Sequence, residues 1–351
     1  MAKNSLLNIL NGLSEAVFLI DANRQIVLTN PQAVEIFGKG LEGQNIVRAI
    51  RHPDCLKATE EALAGAENSS AVIVLERPVP TTYQVRAAHL PEDDIFGAQA
   101  VLSLADISHV REAEQMRSDF VANVSHELRS PLTALSGFIE TLQGPAKDDP
   151  SAQERFLYLM DREAQRMNRL IGDLLSLSKV EVNERVRPTG VADVVSIVRR
   201  IITTLSSQAE EDHKKVVFHH PDTVGPIPGD EDEILQVFQN LIENAIKYGA
   251  PDTEVTVTVD EVERAAGVRG PALSVTVQDR GPGISAEHIP RLTERFYRVD
   301  DSRSRDIGGT GLGLAIVKHI VSRHRGRLVI HSERDVGSSF TVLLPATTSA
   351  G

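Results

Sequence analysis

Apolar and polar positions along the chain change their period twice. In residues 1–107 the apolar runs are short and strand-like. "AVFLID" and "QIVLTN" flank "ANR", a hairpin signal, and "NPQAVEIFG" predicts a short helix ended by Gly38. "AVIVLER", "TTYQVRAAH" and "GAQAVLSLAD" predict three further strands. Residues 108–183 switch to helical spacing. Val121, Val124, Leu128, Leu135, Phe138 and Leu142 recur in steps of three, four or seven; Phe156, Met160, Glu163, Met167, Leu170, Leu174 and Leu177 do the same. "GPAKDDPS" between them carries helix breakers, so the two seams predict an antiparallel helical hairpin. Such a hairpin buries its seams poorly alone, which points to a dimeric four-helix bundle. Residues 191–346 alternate long helical segments with strand-like runs and predict an α/β sandwich with helices on one sheet. Polar "ERVRPTG", residues 184–190, reads as a mobile hinge before it, and residues 347–351 as a disordered tail. No such break precedes the hairpin, so "DISHVREAEQMRSDF" is expected to run on as helix and couple the first domain rigidly to it.

Composition narrows the class. Apolar residues make up 41% and charged residues 25%, as in ordinary globular proteins, and 351 residues suffice for two or three cores. A net charge of -12 argues against a non-specific nucleic-acid binder. The single cysteine, Cys55, excludes a disulfide framework and a Cys-rich metal site, and suits a reducing cytosol. No run reaches the roughly 18 apolar residues of a membrane span and no signal peptide opens the chain, so the expectation is a soluble intracellular protein.

Four stretches carry candidate chemistry, each with a bland alternative. "QVFQNLIENAIKYG" puts Asn240 and Asn244 on one helical face, with Lys247 and Tyr248 a turn on. Amide oxygens suit a hard cation and lysine suits phosphate, yet such a face can equally be merely solvated. "DRGPGI" offers Asp279, Gly281, Gly283 and Ile284 after a strand: an acceptor for an exocyclic amine beside backbone that a flat ring can approach, or an ordinary turn. "GGTGLGL", with Gly309, Thr310, Gly311, Leu312 and Gly313, opens a helix and can cradle phosphate, or is a flexible loop. Between them, residues 285–308 read as a polar, mobile lid carrying Arg295, Arg298, Arg303 and Arg305 toward phosphates. The fourth stretch is "FVANVSHELRSPLTALSGF". With Val121 at a and Val124 at d, His126 falls at f, opposite the seam, where a packing histidine would not be placed. A solvated surface residue and a nucleophile both remain open.

In order and spacing, Asn240–Tyr248, Asp279–Gly283, Phe296–Arg298 and Gly309–Gly313 resemble the N, G1, F and G2 boxes of histidine kinases, and "SHELRSP" resembles their H box. Residues 1–107, ending in "LADIS", resemble a PAS sensory domain. The hairpin and last domain look most like those of phosphate-regulon sensor kinases. The resemblance implies a multi-domain α+β protein: a PAS domain (1–107), a dimerisation and phosphotransfer hairpin (108–183), and an ATP-binding α/β sandwich of the GHKL type (191–346). It implies ATP and Mg²⁺ as cofactors, the metal held through Asn240 and Asn244, and the nucleotide by these two asparagines, Lys247, Tyr248, Asp279, Ile284, Phe296, Arg305, Thr310, Leu312 and the glycines Gly281, Gly283, Gly309, Gly311 and Gly313. His126 is then the phosphoryl acceptor, Glu127 the base for its Nδ1 proton, and Arg298 a contact for the γ-phosphate. Ser130, one turn on, would position water for dephosphorylating the partner regulator.

The implied partners are a second copy of the chain and a response-regulator receiver domain. Membrane attachment would come only through segments absent from this chain, making it the cytosolic part of an inner-membrane kinase; a natural soluble kinase is the other option. Two further classes compete: a GHKL-type ATPase and a non-catalytic PAS scaffold. The first needs a glutamate where this chain has Asn240. His52 and Cys55 in "RHPDC" are expected to be incidental, with no cofactor in the first domain.

Overall fold

The computed structural model describes residues 2–76, 79–91, 97–183, 186–299 and 309–346. Arg305 and the tail 347–351 lie outside them. The chain divides into two compact units, Met1–Val121 and Ala122–Gly351.

The first unit begins with α1 (Ala2–Asn11), then β1 (Ala16–Ile20) and β2 (Ile26–Thr29). The predicted hairpin turn closes through Asp21, whose Oδ1 accepts the N–H groups of Asn23 and Gln25 at 2.8 and 2.7 Å. Arg24 takes a positive φ of 63° there. Next come α2 (Pro31–Phe37), α3 (Ile46–Ala49) and α4 (Pro53–Leu63). Asn30, Asn45 and His52 cap these three helices, and Pro31 and Pro53 start two of them, where their missing N–H costs nothing. His52 therefore spends its Nδ1 on the Asp54 N–H. Cys55 is wholly buried, and burial pushes its thiol up to about 12, so it is chemically inert. Strands β3 (Ser69–Leu75), β4 (Thr81–His89) and β5 (Ala100–Asp106) complete an antiparallel sheet of order β2-β1-β5-β4-β3. Ala16, Phe18 and Ile20 of β1 turn one way into the main core, while Val17 and Leu19 turn the other way toward Leu10 and Ala98.

Helices α5 (Ser108–Gln143) and α6 (Pro150–Val182) are the predicted hairpin. Asp149 caps α6 by accepting from Ser151 and Ala152. Phe138 and Phe156 meet with ring centroids 5.6 Å apart, joining the two seams. Leu170 and Leu177 are buried, and α6 also packs against a helix of the last domain. Pro131 is buried inside α5.

The remainder comprises β6 (Val191–Ala192), α7 (Val194–Glu211), β7 (Lys215–His219), β8 (Ile227–Pro228), α8 (Glu231–Tyr248), β9 (Glu254–Val262) and β10 (Ala272–Asp279). It ends with α9 (Gly313–Arg323), β11 (Arg327–Glu333) and β12 (Gly337–Pro345). The sheet has the order β11-β12-β10-β9-β7, antiparallel except for β7 against β9. Val255, Val257 and Val259 of β9, Val275 and Val277 of β10, and Val342 and Leu344 of β12 alternate into the core beneath the helices. The polar face of the sheet carries pairs such as Thr276 and Thr341, 2.9 Å apart. Of the expected hinge, Val186 and Gly190 are tied down: the Val186 carbonyl accepts from Arg323, and the Gly190 carbonyl from the Gly229 N–H.

Candidate functional site

Helix α8 is amphipathic in the way a site-bearing helix must be. Asp230 caps it, accepting the N–H groups of Asp232 and Glu233 at 3.1 Å. Ile234, Val237, Phe238, Leu241, Ile242 and Ala245 anchor one face in the core. The other face, Gln239, Asn240, Glu243, Asn244 and Lys247, then lines a cavity of about 430 Å³. Lys247 pairs with Glu243 at 3.4 Å, and Glu243 also accepts from Gln239 at 2.8 Å.

The end of β10 supplies the opposite wall. Asp279 is only 5% exposed, and its Oδ1 accepts the Gly281 N–H at 2.9 Å. Burial raises its pKa, and the backbone N–H groups of Gly281 and Ser338 work against that rise. A side chain at Gly281 would collide with the Tyr248 carbonyl. At Gly283, with φ 63°, it would collide with the Glu333 carbonyl. These two glycines let the loop lie flush between α8 and β11, and Ile284 is pinned there by its N–H to Ser332 Oγ at 2.7 Å.

The glycine-rich run forms the third side. Gly309, Thr310, Gly311 and Gly313 line the cavity. A Cβ on Gly313 would come to 3.0 Å from Asn240 Oδ1, so glycine there lets α9 start against α8 without displacing the Asn240 amide. Gly311, at φ 72°, accepts the Phe296 N–H at 2.8 Å. Phe296 itself takes a φ of 63°.

Three residues expected to bind the nucleotide do not line the cavity. Gly281 and Phe296 shape the backbone around the cavity without lining it, and Leu312 is wholly buried in the core. Arg295 is not directed at the cavity: it pairs with Glu181 of α6 at 2.6 Å.

His126 and Ser130 are exposed on α5, and neither lines the cavity. Arg298 links the two places. Its side chain is 5% exposed and donates to Glu127 Oε2 at 3.2 Å; Arg166 of α6 donates to the same oxygen at 3.1 Å. Glu127 is thus held by two guanidinium groups, one from each side of the contact between hairpin and sandwich. Helix α6 reaches the cavity directly through Arg169 and Asp173, which carried no local signal in the sequence. Asp173 accepts the Thr310 hydroxyl at 2.7 Å, and burial, set partly against that bond, raises its pKa. Glu243, three residues after Asn240, and Gln239, four before Glu243, were also unpredicted but legible from helical spacing.

Among the described residues no group of three or more His, Cys, Asp or Glu could hold a metal ion. Hard donors in the cavity include the amide oxygens of Asn240 and Asn244 with Glu243 beside them, and the carboxylates of Asp173 and Asp279. No helix of the described residues is long and apolar enough to cross a membrane.

Comparison with known proteins gives each domain a family. A family model described as a histidine kinase-, DNA gyrase B- and HSP90-like ATPase matches residues 229–348. The His Kinase A (phospho-acceptor) domain matches 116–183, and the PAS fold matches 5–94. The phosphate regulon sensor protein PhoR of Pseudomonas aeruginosa is 36% identical over 94% of this chain and 71% of its own length. The sensor-like histidine kinase SenX3 of Mycolicibacterium smegmatis is 34% identical over 94% of this chain and 82% of its own. A solved structure of histidine kinase ThkA in complex with response regulator protein TrrA shares the fold, with a TM-score of 0.53 and 20% identity. It covers 98% of this chain and 99% of that one. The chain belongs to the sensor histidine kinases.

Proposed function

We propose that the protein phosphorylates His126 from ATP and passes the phosphoryl group to an aspartate of a response-regulator receiver domain. The observation that carries this reading is the convergence on one cavity of the Asn240/Asn244 face, Asp279 and the glycine run, with Arg298 joining that cavity to Glu127 beside His126. In the reaction, His126 Nε2 attacks the γ-phosphorus, the bond to the β–γ bridging oxygen breaks, and ADP leaves. The Nδ1 proton passes to Glu127. Arg298 then has to leave Glu127 and meet the charge growing on the γ-phosphoryl oxygens. Asp279 accepts from the exocyclic amine of adenine, and Lys247 meets the phosphate chain.

The oxygen donors fit Mg²⁺, which Asn240 and Asn244 would hold and which would neutralise phosphate charge. Ser130, a turn from His126 on the exposed face, suits positioning of water for dephosphorylating the regulator. The chain acts as a homodimer: Leu132, Ile139, Leu157, Ile171 and Leu175 leave a second apolar stripe on the hairpin, each at least 42% exposed. A bundle with a second copy would cover it.

The competing ATPase needs a free carboxylate base. Glu243 brings one into the cavity, but Lys247 and Gln239 occupy it. Incubation with γ-labelled ATP tests the proposal. An acid-labile, base-stable label lost in His126→Gln supports it; phosphate release without labelled protein supports the ATPase, and neither supports a scaffold.

A further inference from the structure

Lys214 sits on the link between α7 and β7. His213, at φ 52°, turns the chain there, and the Lys214 N–H closes α7 on the Ala209 carbonyl at 2.7 Å. Its side chain runs inward to donate from Nζ to the Ile246 carbonyl, near the end of α8. Lys214 Cε and Asp279 Cβ lie 3.7 and 3.8 Å from the point where a Cβ on Gly249 would stand. Lysine and aspartate therefore flank Gly249, with Asp279 facing the cavity and Lys214 behind it, out of the cavity lining.

This placement answers a problem that Asp279 poses. The side chain is almost fully buried, and its hydrogen-bond donors are neutral backbone groups. Charged and titratable groups on the elements around it are Lys247 (paired with Glu243) and Tyr248 on α8, Arg280 next to it, and Glu333, Arg334 and Asp335 on the β11–β12 turn. From its place behind Gly249, the Lys214 charge works against the burial of the carboxylate; in return, Asp212 and Asp279 support the lysine charge against its own burial.

We propose that Lys214 is a positioning residue for base recognition: anchored on the Ile246 carbonyl, its ammonium keeps Asp279 an ionised acceptor toward the exocyclic amine of adenine. The inference rests on reading the cavity as an adenine-nucleotide site. It bears on specificity as well as affinity. Guanine presents a carbonyl where adenine has its amine, and an ionised carboxylate repels that oxygen, whereas a protonated one can donate to it. Losing the lysine charge should let Asp279 protonate more readily and erode the preference for adenine as pH falls.

The test is calorimetric titration of ADP and GDP into the full chain from pH 5.5 to 8.5, for wild type, Lys214→Gln and Lys214→Arg. Glutamine can still donate to the Ile246 carbonyl but carries no charge. For Lys214→Gln we expect ADP affinity at pH 8.5 within about threefold of wild type, and a loss relative to wild type that grows as the pH is lowered toward 5.5. The ADP-to-GDP ratio should narrow over the same range, and arginine should restore the wild-type profile. An equal loss at every pH, a profile unchanged from wild type, or failure of arginine to rescue overturns the proposal. So does failure of Lys214→Gln to fold, which would make the lysine a structural residue. Wild-type protein that binds no ADP at any pH would instead remove the reading of the cavity, and the inference with it.

Discussion

Replacing Pro131 with alanine is the sharpest test of how the phosphoacceptor helix works. Pro131 has no N–H for the Glu127 carbonyl, so the bond is missing directly behind the predicted base. The Thr133 hydroxyl donates to the Arg129 carbonyl at 2.9 Å in the same turn, a contact that also favours bending. An interior proline costs a helix about 3 kcal/mol. Pro131 is buried, however, so alanine loses two ring methylenes at roughly 0.8 kcal/mol each. It also gives up about 0.7 kcal/mol of unfolded-chain restriction. The net is a gain of about 0.7 kcal/mol, or on the order of 2 °C in the melting temperature of the unit that holds the site. If the unbonded turn is a hinge that gates access to His126, this small gain should accompany a clear shift in the ratio of autophosphorylation to regulator dephosphorylation. The assay pairs calorimetry with γ-labelled ATP and a labelled receiver domain. A lower melting temperature would mean that ring packing outweighs the restored bond. An unchanged activity ratio would remove the hinge.

Three further outcomes are expected. Glu127→Gln should lower the autophosphorylation rate by about 10²- to 10⁴-fold, the usual worth of a general base, with ADP affinity by calorimetry little changed. Gly283→Ala should destabilise by at least about 1–2 kcal/mol in urea unfolding, from its left-handed backbone alone, and should abolish ADP binding, because the new Cβ meets the Glu333 carbonyl. Asp173→Asn keeps an acceptor for Thr310 but removes a buried charge. Because burial raises the folded-state pKa of Asp173, its cost is absent below the ordinary carboxylate range and fully present above the raised value. The asparagine variant should therefore melt higher than wild type at pH 8, with the difference vanishing toward pH 3.

What the sequence made legible was local. Asn240 and Asn244 share a helical face because α8 is regular, and the residues beside them, Gln239 and Glu243, follow from the same periodicity. Gly283 and Gly311 announced tight loops, and both take left-handed backbone. Phe296 and Leu312 sit in the right motifs, yet one works through its backbone and the other through the core, a distinction no spacing carries. Arg295 and Arg298 are three residues apart in one polar lid; only the tertiary contact with the hairpin sends one to Glu181 of α6 and the other to Glu127 of α5. Arg169, Asp173 and Lys214 belong to segments with no motif at all. They matter because packing brings a hairpin helix, and the link after α7, against a site built elsewhere in the chain.

The parallel pair β7–β9 has a consequence for how the domain assembles. Lys215 to His219 register with Glu254 to Thr258, and the chain between them, from His220 to Thr253, contains the whole of α8. A parallel partner can be reached only by such a crossover, and pairing across it is slow because the loop must close before any contact rewards it. The helix that holds the nucleotide face is therefore itself the connection on which completion of the sheet depends. Any ligand that binds the finished face but not the unfolded chain adds its free energy to that step. In a cell rich in nucleotide, the ligand would act as a folding partner for this domain before it serves as a phosphoryl donor.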